Sequence, residues 1–202
     1  MSKYDEMINV VPRKIVFKNE ENQFDGFLSK DTIQGSEIMD ALKSYEIKRR
    51  GDMEDDPKYK QLVSYCLLEN YEGQLLVYKR LSGGGESRLH GQGSIGVGGH
   101  MNEVVGAEDI NEVLRTNAQR ELEEEVGLDF QKTQNLEYLG FINDDTNEVG
   151  QVHLGVVFSI KVDRADVEVQ ETDTLSIDWV NREEIKDLSQ FETWSSLILE
   201  AL

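Results

Sequence analysis

The sequence predicts an α+β sandwich, and three observations carry that expectation. Runs rich in β-branched and aromatic residues recur at LVSYCLLEN (62–70), QLLVYKRL (74–81), NLEYLGFIN (135–143), QVHLGVVFSIKV (151–162) and TLSIDWV (174–180). One long helical pattern separates the first two runs from the others, and further helical patterns close the chain. A length of 202 residues suits one principal core, and no internal repeat suggests a solenoid.

Taken in order, INVVPRKIVF alternates loosely and contains Pro12, which fits a short edge strand or extended arm. SEIMDALKSYEIKRRG spaces Ile38, Met39, Leu42, Tyr45 and Ile47 as a helix would, with Ser36 as a cap and Gly51 as a stop. DMEDDPKYK reads as an exposed turn or loop. The strands at 62–70 and 74–81, joined by NYEG, form a predicted antiparallel hairpin. SGGGESRLHGQGSIGVGGH follows; glycine-rich stretches serve either as flexible linkers or as places where backbone approaches a ligand, and composition leaves both open. SIGVGG inside it retains the pattern of a short strand. A helix is expected over 109–126, with Asp109 at its start and Gly127 past its end. After the strands at 135–143 and 151–162, joined by the polar loop DDTNEVG, the acidic segment DVEVQETD leads to TLSIDWV, where Trp179 reads as core. NREEIKDL and FETWSSLILEAL are expected as two closing helices.

With 40 Asp and Glu against 21 Lys and Arg, the chain should be soluble and repel polyanions, which argues against long nucleic acid as a partner. A small phosphorylated ligand is compatible, because divalent cations bridge carboxylates to phosphates. The single cysteine, Cys66, excludes an intrachain disulfide and a thiolate metal site, and its apolar surroundings read as structural. There is no signal-peptide pattern or membrane-length apolar run, so a cytoplasmic location is the expectation.

RELEEEVGL, at 120–128, carries four glutamates and one arginine. At about 100° per residue, Glu121, Glu124 and Glu125 share one sector of a helix, while Ala118, Leu122 and Val126 turn towards another. Like charges at these spacings repel, and a helix carboxyl terminus prefers cations. Arg120 is placed to pair with Glu124 at i, i+4. A solvated surface and a cation-holding cluster both accommodate the spacing, and hard oxygen ligands would select Mg²⁺, Mn²⁺ or Ca²⁺ over zinc.

Gly106, Glu112 and the run from Arg120 to Leu128 match, at each fixed position, a glycine, five residues, a glutamate, seven residues and REUXEEXGU, where U is aliphatic. In this the chain resembles the Nudix hydrolases of the MutT type. The resemblance implies a Nudix-type α/β/α sandwich with a mixed sheet over 61–202, preceded by an amino-terminal extension, 1–60, of a short strand and a helix. It implies hydrolysis of a phosphoanhydride, commonly in a nucleoside diphosphate derivative, with Mg²⁺ or Mn²⁺ as cofactor. Glu121, Glu124 and Glu125 would be ligands, Arg120 would orient them, and the Gly99 carbonyl would add an oxygen. GVGGHMN stands seven residues ahead of Gly106, so either Gly99 or Gly106 opens the motif; the strand before VGGH favours Gly99 and a loop insertion.

Glu171 and Glu148 are candidates for the general base, against the reading of each as a solvated loop acid. Arg80, Arg88, His90 and His100 are candidates for phosphate contact, against surface or turn roles. His153 lies in an apolar strand and reads as a packed or backbone-bonded histidine. A catalytically silent Nudix-fold module that senses a nucleotide is the alternative, though a binder has no need of the glutamate set. An isomerase of prenyl diphosphates would need a cysteine beside the metal, for which Cys66, on an early strand, is a poor candidate. The extension could build the pocket, pack on the sheet or support a homodimer.

Overall fold

In the computed structural model of the chain, residues 2–80, 92–169 and 175–202 are described. The amino-terminal part contributes β1 (Met7–Pro12), α1 (Arg13–Val16), β2 (Gly26–Ser29), α2 (Ile33–Ala41), β3 (Glu46–Arg49) and α3 (Arg50–Met53). The remainder contributes β4 (Tyr59–Asn70), β5 (Gln74–Arg80), β6 (Gly93–Ser94), β7 (Gly96–Val97), α4 (Ile110–Val126), β8 (Glu137–Asn143), α5 (Glu148–Val152), β9 (His153–Val162), β10 (Leu175–Asn181) and α6 (Thr193–Ala201). All the strands join one mixed sheet in the order β10-β5-β4-β9-β8-β2, with β1 and β7 also on β4, β3 on β1 and β6 on β5. β4 and β9 run parallel over ten residues from Gln61↔His153, and the other named pairings are antiparallel.

Alternation along β4 and β9 builds a core on each face, as period-2 side chains require. Leu62, Cys66 and Leu68 join Leu154, Val156 and Phe158 under α4, in a core that also takes Ile38 and Leu42. Tyr65, Leu67 and Val157 face the other way and pack with Ile198 and Leu199 of α6. This is the expected three-layer sandwich. In α4, Ala118 and Leu122 are completely buried, and a leucine so placed contributes about 2 kcal/mol.

Two helices are shorter than their patterns suggest. The 36–51 pattern ends as α2 at Ala41, and Glu46–Arg49 is instead β3, antiparallel to β1 through Ile8↔Lys48 and Val10↔Glu46. The apolar spacing of Leu42, Tyr45 and Ile47 suits a turn into a strand as well as a helix, and pairing with β1 decides. In NREEIKDL, Arg182–Glu184 makes one 3-10 turn, closed by a capping box between Asn181 and Glu184. The DDTNEVG loop ends in the short helix α5, where Glu148 is exposed. Trp179 is partly buried against the α4-side core.

An ion-pair cluster, with Lys60 buried and Arg13 and Asp145 part-buried, fastens the amino-terminal residues to the rest. Asp145, in the β8–α5 loop, accepts 2.6 Å hydrogen bonds from Arg13 Nη2 and from Lys60 Nζ, and Lys60 also donates to the Gly150 carbonyl at 2.7 Å. Burial pulls the Lys60 ammonium down to about 8, with the Asp145 contact opposing. Burial also works against the Asp145 carboxylate, but the hydrogen bonds from Arg13 and Lys60 outweigh it and hold its pKa at about 2. Because that value lies below the ordinary 3.8, the contribution is complete above the unfolded pKa and is lost as pH falls through the folded one. Acid titration should therefore remove about 2 kcal/mol through this carboxyl alone. Asp145→Asn should cost about 3 kcal/mol at neutral pH, because fully buried Lys60 loses its anion, whereas Arg13 keeps Glu20 at 2.7 Å. Urea unfolding at neutral and acid pH measures both, and a variant as stable as the parent at neutral pH contradicts the assignment.

Candidate active site

The glutamate run occupies the last two turns of α4, and caps fix that helix at both ends. Asp109 accepts from the Glu112 N–H at 3.0 Å, and Glu112 Oε2 accepts from the Glu108 N–H at 2.8 Å. Gly127 takes a left-handed φ of 70°, its N–H donating to Glu123 O while Leu128 N–H donates to Leu122 O. Glu112 thus serves the helix start, two and a half turns from Glu121.

β7 brings Gly98 and Gly99 beneath the helix. Gly98, at φ 157°, lies against β4 so closely that a Cβ would stand 2.0 Å from the Ser64 carbonyl oxygen. A Cβ on Gly99 would stand 2.6 Å from Glu121 Oε2. The Gly99 carbonyl accepts from the Ser64 N–H at 2.9 Å and, at 3.3 Å, from the Ser64 hydroxyl. Gly106 instead has φ 83° and open space around it. The geometry therefore brings Gly99 against Glu121, and Gly106 lies in the loop before the helix.

Glu121 is 8% exposed, and burial raises its pKa, with Arg120 opposing and Glu124 and Glu6 adding to the rise. Arg120 bridges Glu121 Oε1 at 2.8 Å and Glu124 Oε2 at 3.0 Å. Its guanidinium also donates to the His100 carbonyl at 3.0 Å and to Asn102 Oδ1 at 2.9 Å. Burial, then Glu121 and Glu125, push the Cys66 thiol up. The Glu124 side chain is 59% exposed and points outward. Cys66 lies closer to the glutamates than its early strand suggested, but it is fully buried and stays protonated.

Three polar residues that the sequence reading did not single out complete the frame. Asn117, 2% exposed, accepts from the Asn102 N–H at 2.8 Å and donates to the Asn102 carbonyl at 2.9 Å, pinning the 99–102 segment to α4. Asn102 Nδ2 donates to Glu6 Oε1 at 3.0 Å and to the Met7 carbonyl at 2.8 Å. Glu6 in turn pairs with Arg50 at 3.6 Å. Asn117 carried a signal, a polar residue three positions before Arg120 on the buried side of the helix; Glu6 and Asn102 carried none.

The other candidates divide. The His100 ring meets Gln61 and His153 rather than the glutamates, and only its carbonyl reaches Arg120. His153 is buried and bonded to the Val149 carbonyl, as its strand position suggested. Glu171, Arg88 and His90 lie outside the described residues, as does the side chain of Arg80. Among the described residues, no three His, Cys, Asp or Glu side chains stand in a ready-made metal-holding arrangement. A concavity of about 540 Å³ between α2 and the start of α4 is lined by Lys18, Glu37, Asp40 and Ile110 and includes none of the glutamates.

A family model for the NUDIX domain matches residues 59–202. Protein YmaB of Bacillus subtilis (strain 168) is 42% identical over 207 residues, covering 100% of both chains. Among solved structures, Tm1382, described as a candidate Nudix hydrolase, superposes with a TM-score of 0.74 at 28% identity over 97% of each chain. DR0079 from Deinococcus radiodurans gives 0.51 at 17% identity over 70% of this chain and 82% of its own, a likeness of fold. The chain belongs to the Nudix family. Members of that family are in general hydrolases of nucleoside diphosphate-linked compounds and use divalent metal ions. No helix among the described residues is long and apolar enough to cross a membrane.

Proposed function

We propose that the protein is a metal-dependent hydrolase that cleaves a phosphoanhydride bond in a nucleoside diphosphate derivative or a related small diphosphate. The observation that carries this reading is Glu121, nearly buried with its carboxylate against Gly99 and beside Glu124, the two sharing Arg120. Burying a carboxylate beside like charges is costly without a compensating cation. A dication beside Glu121 would offset that cost, and all-oxygen donors suit Mg²⁺, with Mn²⁺ as a substitute. Glu121, Glu124, Glu125 and the Gly99 carbonyl would hold it; bound there, it would neutralise the diphosphate and lower the pKa of an attacking water.

The chain's own part follows from the contacts above. Arg120 fixes the carboxylates of Glu121 and Glu124, and Asn117 and Asn102 fix Arg120 and the segment carrying Gly99. Exposed Glu124 offers an oxygen that can accept a proton from water, and Glu171 is the second candidate for that role. Arg80 and Arg88 are our candidates for contacts to the substrate; the His100 ring, turned to Gln61 and His153, is withdrawn from that role. We read residues 1–60 as an extension that supports the site, since Glu6 reaches Asn102 and Arg50.

The test is a turnover screen over dinucleotides, nucleotide sugars, nucleoside triphosphates and non-nucleotide diphosphates, with Mg²⁺ and then with chelator. Cleavage of at least one class, stopped by chelator and restored by Mg²⁺, is expected. Binding without turnover across the panel would instead favour the silent nucleotide-sensing module.

A further inference from the structure

On the opposite face of the sheet from Glu121, three ligand atoms converge. Gly99 and His100 are consecutive, and while Gly99 meets Glu121, His100 bridges to Val63 and turns its ring to the Gln61 side of β4. Gln61 pairs in register with His153 of β9. There His100 Nε2 lies 3.1 Å from His153 Nε2 and 2.8 Å from Gln61 Oε1, with the two rings edge-on at 68°.

The neighbouring bonds fix which atoms these are. Gln61 Nε2 donates to the Met53 carbonyl at 3.1 Å, so its acceptor oxygen is the atom turned to His100. His153 Nδ1 lies 2.6 Å from the Val149 carbonyl and must carry the proton, which leaves Nε2 a bare acceptor. Two acceptors, and a third nitrogen carrying at most one proton, thus crowd one point. Metal-binding histidines are typically oriented in this way, by a backbone carbonyl on the other ring nitrogen. Two imidazole nitrogens bound to one zinc-sized ion at about 2.0–2.1 Å each stand about 3.0–3.4 Å apart, which the observed pair matches. Gln61 is fully buried and His153 is 9% exposed, so the atoms are held rather than free to drift.

We propose that His100, His153 and Gln61 form a second metal site, separate from the glutamates, that takes a borderline divalent ion such as Zn²⁺ or Co²⁺, with water completing the coordination. Imidazole ligands select such ions over Mg²⁺. Burial keeps both histidines in the neutral form that a ligand needs, lowering His100 to about 3. Of the neighbouring charges, Glu54 favours a cation beside His153, while Arg50 and then Lys60 oppose one, Lys60 being paired with Asp145. Arg50 is itself tied to Glu54 at 2.9 Å and to Glu6 at 3.6 Å, which offsets its charge.

The test uses the chelator-stripped full chain and Co²⁺ alone. One equivalent should produce visible ligand-field absorption that Zn²⁺ displaces. His153→Ala and His153→Gln should each weaken binding at least tenfold, whereas Glu124→Gln should leave the spectrum unchanged. In the wild-type chain, one equivalent of Zn²⁺ should shift the side-chain nitrogen resonances of both His100 and His153, a readout that needs no variant to fold. Absence of that shift, absorption that survives loss of His153, or absorption lost in Glu124→Gln would overturn the proposal. Because the last variant separates the two sites, failure here leaves the hydrolase reading standing.

Discussion

Glu124→Gln should lower metal-dependent turnover by roughly a thousandfold or more, a loss of about 4 kcal/mol in transition-state stabilisation, while the fold survives. The side chain is 59% exposed and its contact within the box is one 3.0 Å ion pair with Arg120. Exposed pairs of that kind contribute less than about 1 kcal/mol, and Gln keeps the shape. A large kinetic effect with a small stability effect therefore marks a carboxylate used in chemistry. The kcat and KM measured with saturating Mg²⁺, beside a urea midpoint, separate the two. Parent-like turnover would remove Glu124 from the machinery.

Gly99→Ala should be the next most damaging change, with the opposite division of effects. Its Cβ would stand 2.6 Å from Glu121 Oε2 and 2.8 Å from Glu121 Cδ. Glu121 is nearly buried and bonded to Arg120, so it has little room to yield. Overpacking of this kind costs about 1–3 kcal/mol. Displacing the carboxylate by an ångström should also cost about a hundredfold in turnover. Gly106→Ala is the control, since nothing lies within 4 Å of its added Cβ. Its φ of 83° leaves a backbone cost of about 1 kcal/mol, with turnover unchanged. If Gly106→Ala proved the more harmful to turnover, the motif would open at Gly106.

Much of this architecture was legible where local signals agree with tertiary packing. The helix α4 has its periodicity, its Asp109 cap and its Gly127 stop in the sequence, and the structure uses all three. Largely buried β4 and β9 declare themselves by apolar runs. Glu46–Arg49 was hidden because a four-residue strand beside a helix has no period of its own; its partner β1 lies almost forty residues earlier. Residues 182–188 were overread as helix because a capping signal can close a single turn without propagating it.

The candidate site divides in the same way. The glutamates and Arg120 follow from a spacing that one helix fixes. Asn102, Glu6 and Gln61 matter through contacts across 15 to 96 positions, which local pattern does not encode. That Gly99 rather than Gly106 lies against Glu121 is likewise a contact across more than twenty positions.

The claim that the box glutamates hold the ion for hydrolysis is tested most directly by Mn²⁺ binding, read by electron paramagnetic resonance of the full chain. The wild type should bind Mn²⁺ in a form that Mg²⁺ displaces, and Glu121→Gln, with its fold verified by circular dichroism, should weaken that binding at least tenfold. Mg²⁺-displaceable binding of undiminished affinity in Glu121→Gln would contradict the account.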